Sequence, residues 1–331
     1  RGLGRGEVLD NYVADLPTLT ERVAAYQRND LLDLAGDIQL AKLPATLPYM
    51  VVSCAELPQY KGDKKTCEIT YVDPVAPERS FTAQNVEINV QGTSSAGYKK
   101  KNFKWKLKSG CTYTESGEES AAYQLRGAES VPATTFCMKA DVASSEGANN
   151  VELVRLYNAA SPYKTAAQQA DARVRVGIDG KPCVLFWQDG DGKVRFWGKY
   201  NFNDDKSSEA VFGLGEGCES WEIKNNTSQR VIFKSADFIG DGWLEDFEGR
   251  YPDGNTDPTK LKALCEWIVS TDRSAVTSEA DKAARLSKFK TEFEDHFVKA
   301  PMLYYYLFTE MFLMVDSRAK NFFPTTYDGT H

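Results

Sequence analysis

Close to the C-terminus the chain carries a carboxylate and a carboxamide at a spacing that suits phosphoryl transfer. Asp316-Ser-Arg-Ala-Lys-Asn321 follows the apolar run of residues 302–315 directly. In a kinase catalytic loop with this Asp-x-x-x-x-Asn spacing, the Asp accepts the proton of the attacking hydroxyl. The Asn holds a magnesium ion on the phosphates. Asp and Asn are also ordinary loop residues, so the same pair reads as a helix stop followed by a turn. A second segment bears on the choice. Gln91-Gly92-Thr93-Ser94-Ser95-Ala96-Gly97 is a run of small residues with exposed amides, between two stretches that read as strands. Such a turn can approach phosphates closely. In the strand after it, Lys104 and Lys106 share one face, and Phe103, Trp105 and Leu107 share the other. A lysine on a strand beside a phosphate-binding turn suits a nucleotide site; a solvated hairpin with a basic tip has the same pattern.

The elements that must position these groups follow from periodicity. Residues 1–45 read as helical, with Leu16, Leu19, Val23 and Tyr26 at helical spacing, and suit a linker or collar. From residue 49 to about 202 strands dominate: 49–54, 67–72, 80–90, 102–107 and 134–139. A helix over 150–159 interrupts them. Residues 174–179 and 182–188 read as a hairpin turning at Gly180-Lys181, and 193–202 follows the turn Asp189-Gly-Asp-Gly192. That turn lacks the further oxygen ligands a calcium loop needs. From residue 258 the pattern is helical, over 258–270, 279–299 and 301–315, with Asp257 as a plausible N-cap. The last of these is apolar nearly all round, which predicts a buried helix. Strands first and helices later predict an α+β fold with a β-rich lobe over about 46–203 and a helical lobe over about 250–331.

The turn, the lysine strand and the Asp316–Asn321 pair together resemble the spore-coat-protein-H (CotH) kinase family. That family has an Arg-Gly-Asn-Ser-Ser/Thr-Trp-like turn, then a Lys-Lys-x-Tyr-Arg/Lys-x-Lys-like strand, and much later a helix ending in Asp-x-x-x-x-Asn. Here the strand is Lys100-Lys-Asn-Phe-Lys-Trp-Lys106. Thr135-Phe-Cys-Met-Lys-Ala-Asp-Val and Phe196-Trp-Gly-Lys-Tyr-Asn-Phe are similar to two further family strands. The wording is closest to CotH-like modules of gut phages and prophages. Gln91, Thr93 and Ala96 stand where the family has Arg, Asn and Trp. The resemblance implies a bilobal atypical protein-kinase-like fold over 46–331. It also implies ATP and magnesium as cofactors and a protein acceptor as partner. Asp316 would be the base and Asn321 the metal ligand, with Gly92, Ser94, Ser95 and Lys104 or Lys106 on the phosphates. The altered turn and the phage occurrence suit an alternative, a non-catalytic structural or adhesion module that meets other virion or surface-assembly proteins. The family's second magnesium-binding Asp would lie past His331, so the segment reads as part of a longer polypeptide, truncated at its C-terminus.

Composition excludes some classes. The chain has 331 residues and a net charge of −7, which disfavours nonspecific nucleic-acid binding. No apolar run reaches the roughly 18 residues of a membrane span. Seven cysteines stand singly, without a Cys-x-x-Cys pair, and there are two histidines, so a zinc site is not indicated. Cys137 and Cys183 fall in apolar runs and read as buried thiols, as in a protein assembled in a reducing cytoplasm. Asn225-Asn-Thr-Ser228 matches a glycosylation sequon and reads as a polar turn. His296 reads as a helix-surface residue.

Overall fold

The structure, a computed structural model, describes residues 47–108, 110–113, 119–120, 122–142, 149–224, 232–314, 316–319 and 322–331. The helices expected over 1–45, the sequon at Asn225 and the metal ligand Asn321 lie outside the described residues. The chain divides into two compact units. One contains the residues up to Arg155 together with Gly177–Ser208, and the other contains Leu156–Val176 and Glu209–His331.

Among the described residues the first unit holds nine strands: β1 (Tyr49–Ser53), β2 (Lys64–Val72), β3 (Phe81–Gln91), β4 (Asn102–Lys106), β5 (Cys111–Tyr113), β6 (Glu119–Ser120), β7 (Thr135–Lys139), β8 (Gly180–Gln188) and β9 (Val194–Asp204). Their order is β2-β1-β8-β9-β7-β4-β3-β5-β6, and β2 also pairs with β3. That last pairing closes seven strands, β2-β1-β8-β9-β7-β4-β3, into a barrel. The bilobal kinase-like arrangement expected from the sequence is therefore incorrect: the strands form a closed β-barrel instead of a β-rich lobe set against a helical one. Of the seven junctions, β1–β8 is parallel and the rest are antiparallel.

A bulge lets β3 serve this closure. Phe81 and Ala83 point inward, and so do Val86, Ile88 and Val90, so the inward set changes parity between them. Asn85 absorbs the change at φ +56, a left-handed conformation that asparagine tolerates. The β2–β3 register shifts at the same place, and such a bulge bends a strand round a barrel. The interior is solid. Tyr71, Phe81, Trp105, Tyr123, Phe136 and Phe202 interlock, with ring centroids 4.7 Å apart for Phe81–Tyr123 and 4.9 Å for Trp105–Phe136. All six are essentially inaccessible. Tyr123 enters from outside the strands, on a segment tied down by its hydroxyl to the Arg79 carbonyl at 3.2 Å.

Several local expectations need correction. Residues 174–179 form no strand; β8 begins at Gly180 and pairs with β9 throughout, so there is no hairpin at Gly180-Lys181. Gly180 sits where a Cβ would lie 2.1 Å from the Asn203 Oδ1, so it is kept for close packing and not for a turn. The Asp189 turn does form. Asp189 Oδ1 accepts from the amides of Asp191 and Lys193, and Oδ2 from Arg195 at 2.9 Å. Cys137 and Cys183 are buried, as expected.

The second unit has a small antiparallel sheet, β11 (Phe247–Tyr251), β10 (Glu219–Ile223) and β12 (Thr325–Thr326), in that order. Trp221, Ile223, Trp243, Phe247, Leu261 and Cys265 form its core. Among its helices are α4 (Thr259–Thr271), α5 (Glu279–Glu292), α6 (Lys299–Met311) and α7 (Asp316–Ala319). Before them come α1 (Asn149–Ala160), in which the boundary between units falls, α2 (Ala166–Ala170) and α3 (Ile232–Ser235). Pro258, not Asp257, is the N-cap of α4, although Asp257 Oδ1 still accepts the Thr259 amide at 3.1 Å. The His296 ring packs on Trp267 with centroids 4.3 Å apart. The α6 helix is not buried on all sides. Tyr304 and Phe308 pack on Tyr157, while Leu303, Leu307 and Met311 are 52%, 61% and 75% exposed. An apolar surface becomes buried only where a partner surface meets it, and among the described residues these side chains of α6 meet none. No helix among the described residues is long and apolar enough to cross a membrane.

Candidate functional site

Strand alternation sends every second residue of β3, β4, β7 and β9 to the outside of the barrel. The ladders then line those residues up in rows. Asn89 pairs with Lys104, Lys104 with Cys137, and Cys137 with Asn203. One step along, Gln91 pairs with Asn102 and Lys139 with Asn201. The result is a row of polar side chains on the outer face of the sheet, entirely within the first unit.

The Gly92–Gly97 turn caps the strip. Gly92 has φ +109, and a Cβ there would meet Ser95 Oγ at 2.1 Å; glycine is required on both counts. A short 3-10 turn, Ser94–Gly97, follows. The turn is pinned by Asn102, which donates from Nδ2 to Ser95 Oγ at 3.1 Å and accepts the Ala140 amide on Oδ1 at 2.7 Å. Lys101 Nζ donates to the Ala96 carbonyl at 2.8 Å.

Lys104 faces outward on β4 and forms an ion pair at 2.8 Å with Asp205, whose side chain is 1% exposed. It also reaches Ser207 Oγ at 3.2 Å. Asp205 further accepts the Ser207 amide at 2.9 Å and the Cys137 thiol at 3.0 Å. Burial opposes its ionisation, yet Lys104, Cys137 and Ser207 outweigh it and hold the carboxyl well below the usual range. The Cys137 thiol is pushed far up, by burial first and by Asp205 second.

Three more lysines border the strip. Lys139 Nζ donates to Gln91 Oε1. Lys199 Nζ donates to Asn201 Oδ1 at 2.8 Å, and Asn201 Nδ2 donates to Asp141. Lys100 lies 4.5 Å above the Tyr200 ring and donates to the Ala140 carbonyl at 3.2 Å. Burial, then the charge of Lys199, lowers the Lys100 amine to about 8, against the pull of Asp141. Burial lowers Lys199 too.

The structure thus places Gly92 and Ser95 in the turn that joins β3 to β4, and Lys104 on the outer face of β4. Ser94 begins the 3-10 turn, and only its backbone is described. Lys106 is exposed on the same face, opposite Glu87. Asp316 opens α7 in the second unit, and its backbone alone is described. Lys139, Lys199, Asn201 and Asp205 were not among the candidate site residues read from sequence. Their signal was present in Lys199-Tyr-Asn-Phe-Asn203, where polar residues alternate with aromatics on a strand. Polar groups at every second position of a buried strand mark a face that something polar must satisfy.

No family model matches the chain, and no curated protein matches it.

Proposed function

We propose that this lysine-bordered face binds a phosphate-bearing ligand at the Gly92–Gly97 turn. Magnesium-bound ATP is the ligand implied by the CotH resemblance, and phosphoryl transfer to a protein acceptor is the reaction. The observation that carries the reading is the placement of the glycine turn directly after Gln91, which accepts from the Lys139 amine, on the barrel face that also carries Lys104 and Lys199. The residues fit such a group. Strand-borne amines supply charge, and the glycine at φ +109 lets the main chain come close. Bound ATP would supply the transferable phosphoryl group. The chain's part would be to hold its phosphates, with Asp205 and Ser207 fixing the Lys104 amine in place. Asp316 as base and Asn321 as metal ligand complete the proposal on the strength of the motif alone.

Titration calorimetry with ATP and magnesium tests it. Binding should occur and weaken about tenfold or more in Lys139→Met or Lys199→Met, since a charge-assisted hydrogen bond contributes about 1.5–3 kcal/mol. Transfer to a protein acceptor should fall about 10²–10⁴-fold in Asp316→Asn, which cannot accept the proton. The absence of any binding heat from folded protein would reject the reading.

One observation favours a second reading, a non-catalytic structural or adhesion module of a virion or other surface assembly. Lys104 and Lys139 are already engaged by Asp205 and Gln91. A silent calorimeter combined with retained stability would support that module.

A further inference from the structure

At one end of the barrel the β1–β2 ladder brings two cysteines face to face. The register pairs Val52 with Ile69 and Ser53 with Glu68; continued one step, it sets Cys54 opposite Cys67. The Cys54 amide, donating to the Gln188 carbonyl at 3.0 Å, keeps the chain extended through that step. Alternation puts both cysteines on the face of Met50, Val52, Ile69 and Tyr71, all buried inside the barrel. Opposed residues of an antiparallel pair have Cα atoms about 4.5 or 5.5 Å apart, according to the class of pair. Disulfides span Cα separations of about 4.4–6.8 Å, so either class can be bridged. Both thiols are free, Cys67 buried and Cys54 partly exposed. Cys54 lies at the surface end, its thiol donating to the Glu56 carbonyl at 3.2 Å. Cys67 is pushed up mainly by burial and then by the neighbouring charge of Cys54.

We propose that Cys54 and Cys67 are a modification site, a reversible cross-strand disulfide that fastens β1 to β2 when the protein meets a small-molecule disulfide. The accessible Cys54 loses its proton to solvent, and its thiolate attacks one sulfur of the oxidant. A mixed disulfide forms and one small thiolate leaves. Cys67, deprotonated in turn, attacks Cys54 Sγ and expels the second small thiolate. Two electrons pass to the oxidant, which departs as two thiols. Burial raises the Cys54 thiol, and a hydrogen bond from Trp187 and then the charge of Lys65 oppose that rise in part. The loop so closed carries Leu57, buried at 2% exposure, and the Lys65–Asp63 ion pair of 3.2 Å. The bond therefore pins a segment that already packs on the barrel. The inference is independent of the phosphate-binding reading.

The test is to treat the native chain with oxidised glutathione at mildly alkaline pH, block remaining thiols with iodoacetamide, and map the peptides by mass spectrometry. Cys54 and Cys67 should leave the alkylated pool together, joined to each other, and return together after dithiothreitol. The melting temperature should rise on oxidation. Cys67→Ser, or Cys67→Ala if the serine does not fold, should instead retain glutathione on Cys54 and show no such rise. Wild-type protein that ends with glutathione on Cys54 and an alkylated Cys67 would overturn the proposal. So would protein in which both thiols stay alkylatable.

Discussion

Removing Asp205 tests whether the outer strip of the barrel is organised by its ion pair. Asp205→Ala deletes the acceptor of four groups at once: Lys104 Nζ at 2.8 Å, the Ser207 amide at 2.9 Å, the Ser207 hydroxyl, and the Cys137 thiol at 3.0 Å. Breaking a buried pair from one side costs about 3–5 kcal/mol when the remaining charge stays buried. The Lys104 side chain is 32% exposed and can rehydrate, so the lower end applies, about 3 kcal/mol. In a double-mutant cycle with Lys104→Met the pair itself should account for about 1–2 kcal/mol, because one partner is partly screened by water. Urea unfolding monitored by tryptophan fluorescence reads both numbers. The pH dependence supplies a second signature. The Asp205 carboxyl titrates lower in the folded than in the unfolded chain, where it would sit at about 3.9. Its contribution is therefore fully present above about pH 4 and is lost as pH falls toward the folded value, because the unfolded state binds the extra proton. Asp205→Asn should lose less stability than the alanine and show a flatter acid limb. A cost below about 1 kcal/mol for Asp205→Ala, or a coupling of zero, would refute the reasoning.

Gly92→Ala should be destabilised by more than about 1 kcal/mol, as an alanine forced to positive φ and against Ser95. In calorimetry it should bind ATP more weakly than wild type if the turn cradles phosphate. Trp105→Ala should cost about 3–5 kcal/mol in urea unfolding, as a fully buried aromatic in a filled interior. Trp105→Phe should cost less than half of that, because the buried indole N–H has no hydrogen-bond partner to lose among the described residues.

Individual strands were legible because their cause is local. Residues 67–72, 80–90 and 102–107 alternate, 134–139 is a short run centred on Phe136-Cys-Met138, and the structure has a strand at each. The helices after residue 258 were legible for the same reason, although the one expected over 279–299 ends at Glu292 and the one expected over 301–315 runs from Lys299 to Met311; α5 carries its own start signal in Ser278, whose hydroxyl accepts the Asp281 amide at 3.0 Å. The barrel was not legible, because closure depends on pairings no local pattern encodes. β1 meets β8 across 135 positions, as in the Ser53–Gln188 hydrogen bond. The parity change at Asn85 looks like a break in alternation, whereas it is the bend that brings β2 and β3 together along their length. At the candidate site, the Gly92 turn and Lys104 could be read from composition and spacing. Asp205 and Lys199 could not be tied to them, since the register of β7 against β4 and β9 alone aligns them. The apolar run of residues 302–315 was misread for a related reason: composition reports what could be buried, and neighbours decide what is.

The parallel seam between β1 and β8 also sets a timetable for synthesis. When β1 to β7 have left the ribosome, the barrel still lacks β8 and β9, and β1 and β7 keep open edges. Residues 156–176 emerge before those two strands, although they belong with Glu209–His331 in the other unit. A nascent chain must therefore hold an incomplete sheet, with unpaired strand edges, until β9 ends at Asp204. Long-range strand pairing of this kind is slow to form and prone to misassembly while it waits. Ribosome pausing or chaperone capture between residues 140 and 205 should thus influence the yield of soluble protein more than comparable events later in the chain.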